Sequence, residues 1–154
     1  MSQNKKLTEV KKITKELLEQ LNLSAQVKVK TGEEETTVVQ LETDNPGLLI
    51  GYHGETLSAF QLILAKIVYR RSGEWQRIVV NVGDYRERRQ ESLERMALSA
   101  AQKVKFSGEK YTFLPMSPAE RRIIHLALVD HSDVTTESIG EGRERRVVVK
   151  PKNA

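Results

Sequence analysis

The chain has 154 residues, 38% apolar and 30% charged, a size that allows one medium domain or two small ones. Nine glycines and 4 prolines are too few for a fibrous or disordered protein, and the absence of cysteine excludes a disulfide scaffold, a thiol nucleophile and a thiolate zinc site. The balance of 25 basic to 21 acidic side chains, with a pI near 9.3, suits a polyanionic partner without any basic tail: 11 basic and 10 acidic residues precede Gly83, and 14 and 11 follow it.

Met1 to Lys6 lack the apolar block of a signal peptide. Leu7, Val10, Ile13, Leu17, Leu18 and Leu21 then recur at helical steps. Ala25 to Lys30 alternates, as does Thr36 to Leu41 more loosely, and Thr31 to Glu35 between them reads as a hairpin turn with a solvated acidic tip. A polar cap followed by Pro46 predicts a helix of about one turn before Gly51-Tyr-His-Gly54. Helical spacing resumes at Leu57, Phe60, Leu64, Ile67 and Val68. Gln61 and Lys66 interrupt this best apolar run, which falls well short of the roughly 18–20 residues that span a bilayer. No membrane insertion is expected, and the chain reads as cytoplasmic. Arg77 to Val82 is a short strand, which completes an α-β-β-α-α-β order.

Asp84-Tyr-Arg-Glu87 has the form of a capping box, and behind it Leu93, Met96, Ala97, Ala100, Ala101 and Val104 form one stripe of a helix. The other faces of that helix carry Arg86, Arg88, Arg89 and Arg95 and read as solvated. Lys110 to Leu114 reads as a strand. Ser117-Pro-Ala-Glu120 is a second capping box, opening a helix with Arg121, Arg122 and His125. Val134 to Ile139 and Arg146 to Lys150 read as strands around Gly140-Glu-Gly142. The expected class is α+β, with two small domains at 1–83 and 84–154.

Two motifs carry the chemistry. Nine glycines give roughly half a chance pair at the spacing of Gly51 and Gly54, so the tetrapeptide alone decides nothing. Its setting between a short and a long helix is more telling. Glycines there let a phosphodiester approach the backbone, and the following helix presents N–H groups and its positive dipole end. The Arg121-x-x-x-His125 pair lies some 40° apart on one helical face, at about 100° per residue, with Ile123, Ile124 and Ala127 centred opposite. That face offers a compact set of donors for a phosphate, and His125 adds charge only near or below its reference pKa of about 6.5. An enzymatic reading of His125, Asp130, His131 and Asp133 is weak. On one helix His125 and His131 would lie about 120° apart, and no nucleophile or phosphate-loop motif accompanies them.

Residues 7–83, with Gly47-Leu-Leu-Ile-Gly-Tyr-His-Gly-Glu-Thr-Leu57 at their centre, resemble a type II K-homology domain, whose Gly-x-x-Gly loop clamps single-stranded nucleic acid. One departure stands out. The variable pair is Tyr52 and His53, where that family usually has a Lys or Arg, so the loop's fixed charge is missing. Residues 84–152, with Met116 to His125, Thr136 to Gly140 and Arg145 to Pro151, resemble the domain named for its Arg-xxx-His signature, which also binds single strands. In this order the two resemble the bacterial Jag family, also called SpoIIIJ-associated or KhpB proteins.

That resemblance implies an RNA-binding, non-enzymatic and cofactor-free protein with no catalytic or metal site, linked to cell elongation and division. Single-stranded DNA is a second candidate ligand, and a smaller K-homology protein the expected partner. It also implies that the extra N-terminal domain of many members is absent. The expected contacts are Ile50, Gly51, Tyr52, His53 and Gly54 in the first domain, with Leu49 and Ile50 lining a groove for bases. In the second they are Arg121 and His125, supported by Arg122, Arg145 and Arg146. The alternative is a protein-interaction adaptor that dimerises through its K-homology unit and for which nucleic acid is secondary.

Overall fold

The computed structural model describes residues 2–153. Residues up to Arg86 form one compact unit and those from Glu87 onward a second. In the first, helix α1 (Gln3–Gln20), strands β1 (Gln26–Thr31) and β2 (Thr37–Glu42), helices α2 (Pro46–Ile50) and α3 (Glu55–Ser72), and strand β3 (Ile78–Val82) follow the expected α-β-β-α-α-β order. The sheet runs β1-β2-β3, with β1 antiparallel and β3 parallel to β2. Its register aligns Val29, Val39 and Val80 in one row and Val27, Leu41 and Val82 in the next. Because side chains alternate across a strand, these rows share one face. Val10, Ile13 and Leu18 of α1 and Leu57, Phe60, Leu64 and Val68 of α3 close over it, recurring at the spacing of one helical stripe.

Helix α4 (Tyr85–Ser107) begins with two residues that belong to the first unit. Tyr85 packs against the first core, and the Arg86 guanidinium donates to the Val80 carbonyl, the Asn81 side chain and Gln61 Oε1. Gln61 Oε1 also accepts from the Val80 N–H at 2.9 Å. The outer side of β3 at Val80 is thereby satisfied by side chains.

In the second unit, α4, strand β4 (Tyr111–Thr112), helix α5 (Pro118–Leu128) and strands β5 (Val134–Ile139) and β6 (Arg146–Pro151) surround a core of Leu93, Ala97, Ala100, Val104, Phe113, Ile124, Leu128, Val134, Val147 and Val149. The sheet order is β4-β6-β5, antiparallel throughout. Three local expectations are corrected. The strand at Lys110 to Leu114 shrinks to two residues, with one further bond from the Phe113 N–H to Val147. Met96 is 41% exposed: at about 100° per residue it sits on the margin of the stripe that Leu93 and Ala97 define. Arg89 is no solvated side chain, since its guanidinium forms a bidentate pair with Glu120 at 2.7 and 3.2 Å.

The last point also changes the second capping box. Ser117 Oγ accepts from the Glu120 N–H, but the Glu120 carboxylate turns away from the cap to meet Arg89. No helix among the described residues is long and apolar enough to cross a membrane.

Candidate nucleic-acid interface

Helices α2 and α3 are joined by Gly51 to Gly54, and the backbone there explains both glycines. Gly51 has φ +69°, and a Cβ would overlap the Thr56 side chain and come 3.0 Å from its backbone nitrogen. Gly54 has φ +81°, and a Cβ would lie 3.1–3.2 Å from the Tyr85 ring and hydroxyl. Even His53 takes a left-handed conformation, at φ 49°. The glycines are thus fixed by chain geometry before any ligand is considered. Replacing Gly54 by Ala combines left-handed strain with a displaced Tyr85, and is expected to destabilise the first unit by about 1–3 kcal/mol. Thermal unfolding checks this, and wild-type stability for the variant would refute the fit.

Between the glycines the Tyr52 and His53 rings stack at 3.9 Å, both exposed, Tyr52 by 65%. They form a small aromatic platform beside the start of α3, where the first-turn N–H groups lack intrahelical partners. Glu55 stands in that first turn, so the helix end carries an acidic neighbour and the loop no fixed positive charge. The groove expected beside it needs a correction. Leu49 is 2% exposed and belongs to the core, while Ile50 is half-buried and packs against that core. Leu48, 61% exposed, is the apolar side chain that α2 offers to solvent. A five-residue helix gives too short a repeat to tell inward from outward leucines by periodicity.

The second group lies where α5 packs on β5. Arg121 and His125 are both half-buried rather than displayed on a free face. Arg121 Nε–H donates to the Met116 carbonyl at 3.3 Å, and its Nη1 reaches Ser138 Oγ at 3.4 Å. His125 Nδ1 lies 2.6 Å from Thr136 Oγ1 and its Nε2 lies 2.9 Å from Ser138 Oγ. Strand alternation puts Thr136 and Ser138 on the same face as buried Val134, which is why they meet the helix.

Met116 also ties in Arg145. Its N–H donates to the Arg145 carbonyl at 3.2 Å, while the Arg145 side chain donates to the Gly140 carbonyl at 2.7 Å. Burial, and then the charges of Arg121 and Arg145, hold the His125 imidazole below its ordinary 6.5. The expected protonation near 6.5 is therefore corrected downward: at neutral pH the site is two guanidinium groups with an uncharged ring in their field.

The remaining expected cations separate. Arg122 is exposed on α5. Arg146 pairs in register with Ile139, one step from the Ser138–Val147 pair, so it lies on the sheet face opposite His125. There it donates to the Glu144 carbonyl and pairs with the Glu144 carboxylate at 3.1 Å. The structure does not bring it to the Arg121 group. His131 and Asp133 are engaged locally, the Asp133 N–H donating to His131 Nδ1 and the carboxylate pairing with Lys105 at 3.3 Å. Sequence reasoning missed Met116, Thr136 and Ser138. The i, i+2 spacing of the two hydroxyls on a strand was the available signal.

Both halves of the chain match known protein families. Residues 8–82 match the family model described as KhpA/KhpB, KH domain, and residues 91–151 match that of the domain named for its Arg-xxx-His signature. The chain is 38% identical over 142 residues to the RNA-binding protein KhpB of Clostridium symbiosum, covering 89% of this chain and 64% of that protein. It is 39% identical over 111 residues to the RNA-binding protein KhpB of Streptococcus pneumoniae (serotype 2, strain D39), covering 72% and 34%. It is 32% identical over 111 residues to that of Bacillus subtilis (strain 168), covering 71% and 53%. The chain spans between about one third and two thirds of the length of these relatives.

Proposed function

Because the chain belongs to the KhpB family, in which a KhpA/KhpB-type K-homology domain precedes an Arg-xxx-His domain, we propose that it is a cytoplasmic, non-catalytic RNA-binding protein that grips single strands at two sites. The observation that carries this reading is the pair Arg121 and Arg145, held by the Met116 and Gly140 carbonyls, whose charges both act on an uncharged His125. Two oriented guanidinium groups with donors to spare match the oxygens of a phosphodiester. The loop at Gly51 to Gly54 supplies the second grip. It works by close backbone approach and by the Tyr52–His53 platform rather than by charge, which favours ribose and base stacking over ion pairing.

Replacing Tyr52 and His53 by Asp puts two negative charges at that platform and removes the stack, while both glycines stay in place. Single-stranded RNA affinity should fall at least about tenfold, since a lost base–aromatic stack contributes roughly 1–3 kcal/mol and the two carboxylates repel the phosphates as well. Fluorescence anisotropy on a folded variant measures it. Unchanged binding would remove the first unit from the RNA site.

One observation favours a second reading, in which the K-homology unit mainly joins another protein. Leu62 and Ile63 of α3 are 58% and 49% exposed, and Tyr69, seven residues after Leu62 and so on the same face, is 49% exposed. A smaller K-homology protein is the partner this stripe suits. Retention of all RNA affinity in the Asp variant, with loss of self- or partner association in Leu62→Glu, would favour it.

A further inference from the structure

The hydroxyls of β5 do more than fill space under α5. A guanidinium only donates, so Ser138 Oγ accepts from Arg121. The nearby positive charge then favours the hydroxyl hydrogen pointing away from it, toward His125 Nε2 at 2.9 Å. That leaves Nδ1 as the protonated nitrogen, donating to Thr136 Oγ1 at 2.6 Å. The three bonds run in one sense, from Arg121 through Ser138 and His125 to Thr136, and each polarises the next. A doubly protonated ring would instead set two cations against the one Ser138 oxygen.

Resting on the RNA-binding reading above, we infer that Ser138 and Thr136 are positioning residues and that His125 serves as a neutral brace in its Nδ1–H form. Together they hold the Arg121 fork toward phosphate, and the imidazole itself does not touch RNA. Arg121 Nε is anchored on Met116 and Nη1 on Ser138, so the fork is fixed at two points before a ligand arrives. Preorganisation of that kind reduces the ordering cost of binding.

The test uses the full chain, with a labelled oligouridylate titrated across a salt series. Ser138→Ala should weaken binding about fivefold, the effect of one lost hydrogen bond, and lower the log–log salt slope by up to about 0.7, the share of one phosphate contact on a single strand. In an Arg121→Ala background the same change should cost nothing further, because the hydroxyl acts only through the arginine. Ser138→Thr keeps a hydroxyl and should keep both affinity and slope.

Nitrogen NMR of the wild-type His125 ring at neutral pH should show Nδ1 protonated, a readout that needs no variant to fold. An Nε2–H ring overturns the proposal. So does a Ser138→Ala that binds as wild type while Arg121→Ala is impaired, or one that costs as much without Arg121 as with it, which would mean direct contact. If Arg121→Ala itself binds RNA as wild type, the RNA reading of this domain falls and the positioning role falls with it.

Discussion

The double variant Arg121→Ala, Arg145→Ala should lose at least about a hundredfold in single-stranded RNA affinity, because two charge-assisted contacts at roughly 1.5–3 kcal/mol each disappear. Its slope of log affinity against log salt should flatten by about 1.4, two phosphates at about 0.7 each. Arg146→Ala should change neither by a comparable amount, since Arg146 lies on the other sheet face and is paired with Glu144. Equal slopes for wild type and the Arg121/Arg145 variant would show that these side chains meet no phosphate.

The same variant changes the pH response. His125 is depressed below 6.5 by burial first and by the two arginines next. On acidification through about 6.5 the unfolded chain takes up a proton that the folded chain refuses, so the second unit loses stability as pH falls from there toward the folded value. With both arginines removed the imidazole moves back toward its ordinary value, and that loss shrinks. Thermal unfolding at pH 5, 6 and 7, with His125→Asn to isolate this ring from His53 and His131, checks the sign. A steeper acid loss in the variant would contradict it. RNA binding should carry less titration of His125 between pH 6.5 and 8 than an ordinary histidine would give, because the ring takes up its proton below the usual 6.5.

Arg89→Ala should destabilise the second unit by about 3–5 kcal/mol, the scale for breaking a buried pair and stranding one partner. Glu120 is 7% exposed, and the bidentate geometry at 2.7 and 3.2 Å fastens the first turn of α5 to α4. A loss of that size is a large part of the total stability of a small domain. Because Arg121 and His125 ride on the same helix, RNA binding at the second site should fail together with folding. The paired change Arg89→Met, Glu120→Leu should recover much of the loss, since apolar replacement of both partners removes the stranded carboxylate. Denaturant unfolding measures both, and a shift below about 1 kcal/mol for Arg89→Ala would class the pair as a surface contact.

The elements themselves were largely legible in the chain. Leu57, Phe60, Leu64 and Val68 mark α3 by their spacing, and Val27, Val29, Val39 and Leu41 mark the hairpin, because burying one face imposes a period of its own on helix and strand. The loop at Gly51 and Gly54 was legible for a related reason: positive φ angles beside Thr56 and Tyr85 leave room only for glycine. Arg121 and His125 could be placed on one face, since four residues make a little more than one helical turn.

What the tertiary structure decided is what each polar side chain meets, and local spacing holds no information about that. Arg89 and Glu120 are 31 positions apart, so only the packing of α5 on α4 turns a solvated-looking arginine into a buried partner. Strand register, not nearness in sequence, sends Arg146 to one face of the sheet and leaves Arg145 with Arg121 and His125. The contact of α5 with β5 brings Thr136 and Ser138 under the imidazole, and the partial burial and positive field there push its protonation below the ordinary range. Sequence periodicity determined which faces are buried. The charge states and partners at the site followed from long-range contacts, because electrostatic energy depends on distance in space and on burial.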